Sequence, residues 1–253
     1  MTKTANETLP AVKEQTEVAT APPVFDDGLG DVTQADLIIP RLKVGQKQSA
    51  NDVIGKLFID ITGDAMEEIT LVVLKMQKSR VLFPEVFSRE NEPLCKSDNN
   101  KTPNETEDGF VPMADNCSVC EYAKWGKSDN GKSKPPRCNE TWNFLVLEYD
   151  TFMPCWFSLK STALKPARKI VSMLKMRGTA KKIPAWGFKF TASVKEISSA
   201  AGNSYIPAFS NLEELDKDDF ESMTLIHNQL AGETAGFDEP EDDTPQVAPE
   251  DDF

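Results

Sequence analysis

The sequence predicts a mainly β fold: a small barrel of five strands with a helix between the third and fourth, carrying an inserted cysteine-bearing segment and flanked by acidic ends. Three observations predict it. Runs of strand length, alternating or rich in β-branched residues, recur at 55–61, 69–76, 142–149 and 187–197. One stretch, 164–177, has helical spacing instead. Between about 84 and 140 the composition shifts to Asn, Asp, Lys, Ser and Pro, and four of the five cysteines fall there.

Residues 1–36 are rich in Thr, Ala, Glu and Pro and hold no sustained apolar face. They cannot bury enough surface to offset the entropy of ordering, so a disordered segment is expected. The body, 37–212, opens on Ile38 to Leu42, an apolar lead-in that contains Pro40 and Arg41. Gly55 to Ile61 alternates as a half-buried strand does, Thr62-Gly63-Asp64 supplies a turn, and Ile69 to Met76 returns, which predicts a hairpin. After the insertion at about 84–140, Trp142 to Tyr149 and Thr151 to Leu159 read as strands separated at Asp150. Pro166 suits a first helical turn, Ile170, Val171, Met173 and Leu174 form a stripe, and Gly178 suits a left-handed cap. In 187–197, Phe188, Phe190, Ala192 and Val194 alternate with Lys189, Thr191, Ser193 and Lys195, which places both phenylalanines in the core. Ser204 to Phe209 supplies the last strand. This order is that of an OB-fold barrel, whose face and loops bind oligonucleotides, with another small β-barrel as the alternative.

Charge divides the chain. From Asn211 onward there are 15 acidic residues and one basic, Lys217, a net of −14 in a chain whose total is −13. Residues 37–210 carry 25 basic and 19 acidic residues, a net of +6. A basic body with an acidic tail, 213–253, suits a protein whose body binds polyanion while its tail competes for that surface or engages basic partners.

Cys95, Cys117, Cys120 and Cys138 have the spacing C-x21-C-x2-C-x17-C. The central C-x-x-C lets two thiolates approach one tetrahedral ion, and zinc is its usual occupant. The only histidine, His227, lies in the tail, so an all-cysteine site is the one four-ligand set of this kind in the body. A closed set of four ligands is structural. One zinc ion per chain would supply folding free energy to a zinc-ribbon-like segment too polar to fold on apolar burial. The other readings are ordinary reduced thiols or a redox pair at Cys117 and Cys120. Cys155, between Pro154 and Trp156, reads as a core residue.

From 151 to 210 there are ten basic residues and one acid, Glu196. Phosphate neutralisation by such a surface gives affinity without sequence preference, and exposed rings add stacking. The candidate contacts are Trp156, Lys160, Lys165, Arg168, Lys169, Lys181, Lys182, Trp186 and Lys189, with Trp156 and Trp186 as the exposed rings.

With these features, the chain resembles phage-encoded single-stranded-DNA-binding proteins of the OB type. The resemblance rests on Asp238-Glu239-Pro240-Glu241-Asp242-Asp243, on Asp251-Asp252-Phe253, and on the four spaced cysteines. Members share an acidic tail ending in Phe, and some carry a zinc subdomain inserted into the OB region. Here no Ile-Pro precedes the Phe as in bacterial relatives, and all four ligands are cysteines where some relatives use a histidine. The resemblance implies binding and protection of single-stranded DNA in phage replication or recombination, with Asp251, Asp252 and Phe253 recruiting replication or recombination proteins. It implies the cytoplasm of an infected host.

An enzyme is not expected. There is one histidine, no Gly-rich phosphate loop and no nucleophile–base constellation. A membrane role is not expected either, for want of a long apolar run or a signal-peptide pattern. The rival reading is a phage zinc-ribbon adaptor, or nucleic-acid mimic, that binds a host polymerase or recombination protein.

Overall fold

A computed structural model of the chain describes residues 38–231, apart from 48, 51, 85–92, 105–111, 129–130 and 200–201. The segment 1–36 and the acidic stretch beyond Ala231 lie outside the described residues. In chain order the strands are β1 (Leu42–Val44), β2 (Leu57–Ile59), β3 (Ala65–Met66), β4 (Glu68–Leu82), β5 (Cys95–Ser97), β6 (Gly126–Lys127), β7 (Ser133–Lys134), β8 (Asn139–Glu148), β9 (Pro154–Lys160), β10 (Phe188–Ser199) and β11 (Gly202–Glu214). Helix α1 (Leu164–Lys181) joins β9 to β10, and α2 (Lys217–Ala231) follows β11.

The main sheet has six strands in the order β11-β10-β4-β8-β9, with β5 also on β4, and every pairing is antiparallel. It is not closed into a barrel, because β9 and β11 end the path. Strand β1 lies beside β9 instead, through a parallel bridge from Arg41 to Trp156, and Trp156 donates its backbone N–H to the Pro40 carbonyl at 2.8 Å. The side chain of Gln46 reaches the other end of the path, donating to the Tyr205 carbonyl of β11 at 2.8 Å.

The expected hairpin between 55–61 and 69–76 is corrected. Strand β2 pairs with β1 and β3 in a separate three-stranded sheet, and the Ile69–Met76 run belongs to the 15-residue β4. The turn at 62–64 closes onto the two-residue β3, which leaves β4 free to pair with β8 and β10. Strand β11 is longer than expected, at 13 residues. The helix is longer too. Gly178 sits inside α1, and the left-handed residue is Lys182, at φ 58°. Glycine is needed at 178 for close approach, since a Cβ there would lie 2.5 Å from the Ile183 carbonyl oxygen as the chain folds back.

Two cores result from alternation across β4 and β8. One face packs Leu71 and Val73, Phe144 and Val146, Phe157, Phe188 and Phe190 against Ile170 and Leu174 of α1. The other gathers Val72, Leu74, Leu145 and Leu147 under Met223 of α2. The continuous apolar runs 71–74 and 144–147 therefore need cover on both faces. Phe188 is fully buried. Phe188→Ala is expected to destabilise the chain by about 3–5 kcal/mol, through reduced burial and the cavity left behind. A urea midpoint shifted by less than the equivalent of about 1 kcal/mol would show that this core repacks freely.

Helix α2 replaces the first part of the expected tail. Asp216 caps it, accepting from the Asp219 N–H at 2.9 Å, and Phe220, Met223, Ile226 and Leu230 recur at helical spacing. That stripe is what the outer face of the sheet requires.

Candidate nucleic-acid interface and cysteine cluster

Helix α1 carries six basic residues, Lys165, Arg168, Lys169, Lys175, Arg177 and Lys181, and no acidic one. All six are exposed, while Ala167, Ile170, Leu174 and Gly178 are buried. The reason is the helical period, which turns the apolar stripe onto the core and leaves the cations to solvent. Three of the cations have partners: Arg168 stands 3.8 Å from Glu140, Arg177 donates to the Leu212 carbonyl, and Lys181 pairs with Glu214. Among the described residues Lys165, Lys169, Lys175 and Lys182 have no ion-pair partner.

The expected contacts do not form one patch. Lys165, Arg168 and Lys169 lie on the first turns of α1. Lys181 and Lys182 lie at its far end, about 25 Å away at 1.5 Å per residue. Trp156 and Lys160 alternate with buried Phe157 and Leu159 and so face outward from β9. Trp156 is half-buried there, packed against the outer core.

Trp186 is corrected. Expected to be an exposed stacking ring, it is half-buried under α2, stacked on His227 at 3.6 Å between ring centroids, and its indole N–H donates to Thr224 Oγ1 at 3.3 Å. Lys189, its expected neighbour in phosphate contact, is engaged in the same packing, with its ammonium 4.2 Å from the Tyr149 ring centroid. Tyr149 donates to Asp219 of α2, and that bond raises the Tyr149 pKa above its ordinary value. The Tyr149 hydroxyl in turn raises the pKa of Lys189. The sequence signal for this cover is the Phe220, Met223, Ile226, Leu230 spacing, hidden inside an acidic stretch.

Cys95, Cys117, Cys120 and Cys138 come together. All four line one small cavity of about 10 Å³, with Arg80, Lys96 and Ser97 also on its wall. Three segments deliver them: β5, the turn around 117–120, and the start of β8. Local hydrogen bonds hold these segments. The Cys117 N–H donates to the Lys101 carbonyl and the Cys138 N–H to the Tyr122 carbonyl, and Arg80 donates to the Cys138 carbonyl at 3.1 Å. Apolar burial contributes little. All four are free thiols, and among the described residues no three His, Cys, Asp or Glu side chains are drawn into a group that could hold a metal ion. Burial pushes the Cys138 thiol up to about 11 and also raises Cys95. Cys155 stands apart in the main core, 1% exposed, where burial pushes its thiol up to about 12.

No helix among the described residues is long and apolar enough to cross a membrane. A family model described as Pam3 phage gp34-like protein matches residues 13–236. No curated protein and no solved structure matches the chain.

Proposed function

We propose that this chain, which belongs to the Pam3 phage gp34-like protein family, binds single-stranded DNA through the positive face of α1 and the adjoining edge of the sheet. The observation that carries this reading is α1 itself, six exposed cations and no acid over 18 residues. A helix surface of one sign repels itself, and a polyanion relieves that repulsion while releasing counterions. Strand connectivity lends support. With β4 taken as the first strand, β4-β8-β9-α1-β10-β11 follows the OB order, and β1 lies where the last and third strands of such a barrel would meet. In this reading exposed Lys160, at the end of β9 that leads into α1, extends the binding surface, while Trp156, Trp186 and Lys189 belong to the packing of the outer sheet face. The chain would act in phage DNA replication or recombination in the host cytoplasm, with Asp251, Asp252 and Phe253 engaging partner proteins. We assign it no reaction.

For the four cysteines we propose one structural zinc ion, around which the thiols that line the cavity would have to draw closer together. The cavity has room for about one water-sized sphere, its four thiols are the soft donors that zinc prefers, and four thiolates around Zn²⁺ leave a charge of −2 that Arg80 and Lys96 on the wall offset. Cys95, Cys117, Cys120 and Cys138 would hold the ion, and its contribution is folding free energy for the insertion.

A second reading is an adaptor that docks on a host protein through the cysteine module. Val119 and Trp125 favour it, since they are 63% and 69% exposed on that module. Titration of the full chain with fluorescent oligo(dT) of increasing length separates the two. Length-dependent binding supports the first reading, and no binding at low salt removes it.

A further inference from the structure

Of the four tryptophans, Trp142 is buried and Trp156 and Trp186 are half-buried, whereas Trp125 is 69% exposed. An indole left in water forgoes the burial that usually places this residue against a core. Trp125 stands at the foot of the β6–β7 ribbon, where Gly126 pairs with Lys134 and Lys127 with Ser133. Alternation puts Trp125 and Lys127 on one face of the ribbon and Lys134 on the other. Space beside the ring is open, since a Cβ at Gly126 would meet nothing within 4 Å. Among the described residues no ring stacks on Trp125 and no cation covers it. Its surroundings are basic. From Lys124 to Arg137 the sequence has five basic residues and one acidic, Asp129. Lys124, Lys127, Lys132 and Lys134 are exposed, and Lys127 and Lys134 have no ion-pair partner among the described residues.

We propose that the β6–β7 ribbon is a second contact site for the single strand, with one base stacked on the Trp125 indole and neighbouring phosphates held by Lys127 and Lys134. An apolar patch of a partner protein would cover the ring and leave the ammonium groups beside it without counter-charge. A polyanion that carries flat ring faces satisfies both. The ribbon's module also adjoins α1. Arg168, in the first turns of α1, stands 3.8 Å from Glu140, and the same carboxylate holds Arg80, on the wall of the cysteine cavity, at 3.6 Å. Lys134 precedes Glu140 by six residues, so the two lie at most roughly 22 Å apart. A strand that crosses Lys165, Arg168 and Lys169 therefore reaches the ribbon within the span of about 4–16 nucleotides usual for sites of this class.

The inference rests on the single-strand reading and adds a second contact to it. The test irradiates the full chain with an oligo(dT) of about 16 nucleotides in which 5-iodouracil replaces thymine, and maps the adducts by peptide mass. The expected result is an adduct on Trp125. Trp125→Ala should weaken binding of that oligomer about tenfold, the loss of one stacked base, while Trp125→Tyr should stay within about threefold of the unchanged chain. Trp125→Leu, which keeps an apolar side chain without a ring, should bind like Trp125→Ala. Lys127→Glu/Lys134→Glu should flatten the slope of log K against log salt by about 1.4. Trp125 and both lysines are exposed and line no part of the cysteine cavity, so these variants should keep the thermal melting of the unchanged chain. No adduct on Trp125, affinity indifferent to Trp125→Ala, or equal binding by the Leu and Tyr variants would each overturn the proposal. Affinity that depends on Lys165 and Lys169 but not on Trp125 would overturn this inference and leave the α1 reading standing. A Trp125 adduct undiminished by Lys165→Glu/Lys169→Glu would sink the α1 reading and leave the ribbon as the binding site. No binding at about 0.05 M salt would remove both.

Discussion

Replacing Lys165 and Lys169 together by glutamate is expected to weaken binding to oligo(dT) about 25-fold at 0.1 M salt. The size follows from counterion release: each phosphate of a single strand that is no longer neutralised lowers the slope of log K against log salt by about 0.7, so removing both lysines takes away about 1.4 decades at 0.1 M. Repulsion from the new carboxylates adds to this. Both lysines are exposed and have no ion-pair partner among the described residues, so their replacement breaks no internal ion pair that would confuse the reading. Lys195→Glu is the matched control, on an exposed position of β10 away from α1, and should change affinity less than about threefold. Equal effects per reversed charge, from the two positions of the pair and from the one position of the control, would mean that overall charge, and not the α1 surface, sets affinity. Anisotropy titrations at several salt concentrations measure both the affinity and its slope.

Cys138→Ser is expected to abolish zinc retention, taking the content from about one ion per chain to near none, and to loosen the insertion while the main sheet persists. Cys138 is the ligand candidate that joins the insertion to β8. Structural zinc supplies apparent binding free energies of about 10–16 kcal/mol in small zinc domains, far more than the sparse apolar packing of this segment can supply. Cys155→Ser should leave zinc content unchanged, because Cys155 lies in the main core and lines no part of the cavity. Elemental analysis of protein purified without chelator, with proteolysis of 93–138 as the folding readout, decides the matter. Protein without zinc whose insertion resists protease equally well in both forms would end the metal reading.

Much of the fold is legible in the sequence because alternation leaves a direct trace. Phe188 and Phe190 are buried where period two places them, and α1 stands where Pro166 and its apolar stripe put it. Pairing is less legible. A turn at 62–64 next to two apolar runs reads as a hairpin, but β4 finds more apolar surface with β8 and β10, and burial decides partners over proximity in sequence. The helical half of the tail is obscured because its acids dominate composition, while its stripe of Phe220, Met223, Ile226 and Leu230 matters only once a sheet face needs covering. For the same reason Trp186 reads as exposed from sequence. A tryptophan among lysines looks like a stacking ring until α2 places His227 on it. The four cysteines are legible as a group from spacing alone, and they line one cavity.

The central claim is that α1 and its surroundings hold the phosphates of a single strand, and the salt dependence of oligo(dT) binding by the full chain tests it most directly. With roughly four to six phosphates neutralised, log K should fall against log salt with a slope of about −3 to −4, nearly independent of base composition. An absence of binding at about 0.05 M salt, or a slope near zero, would contradict it.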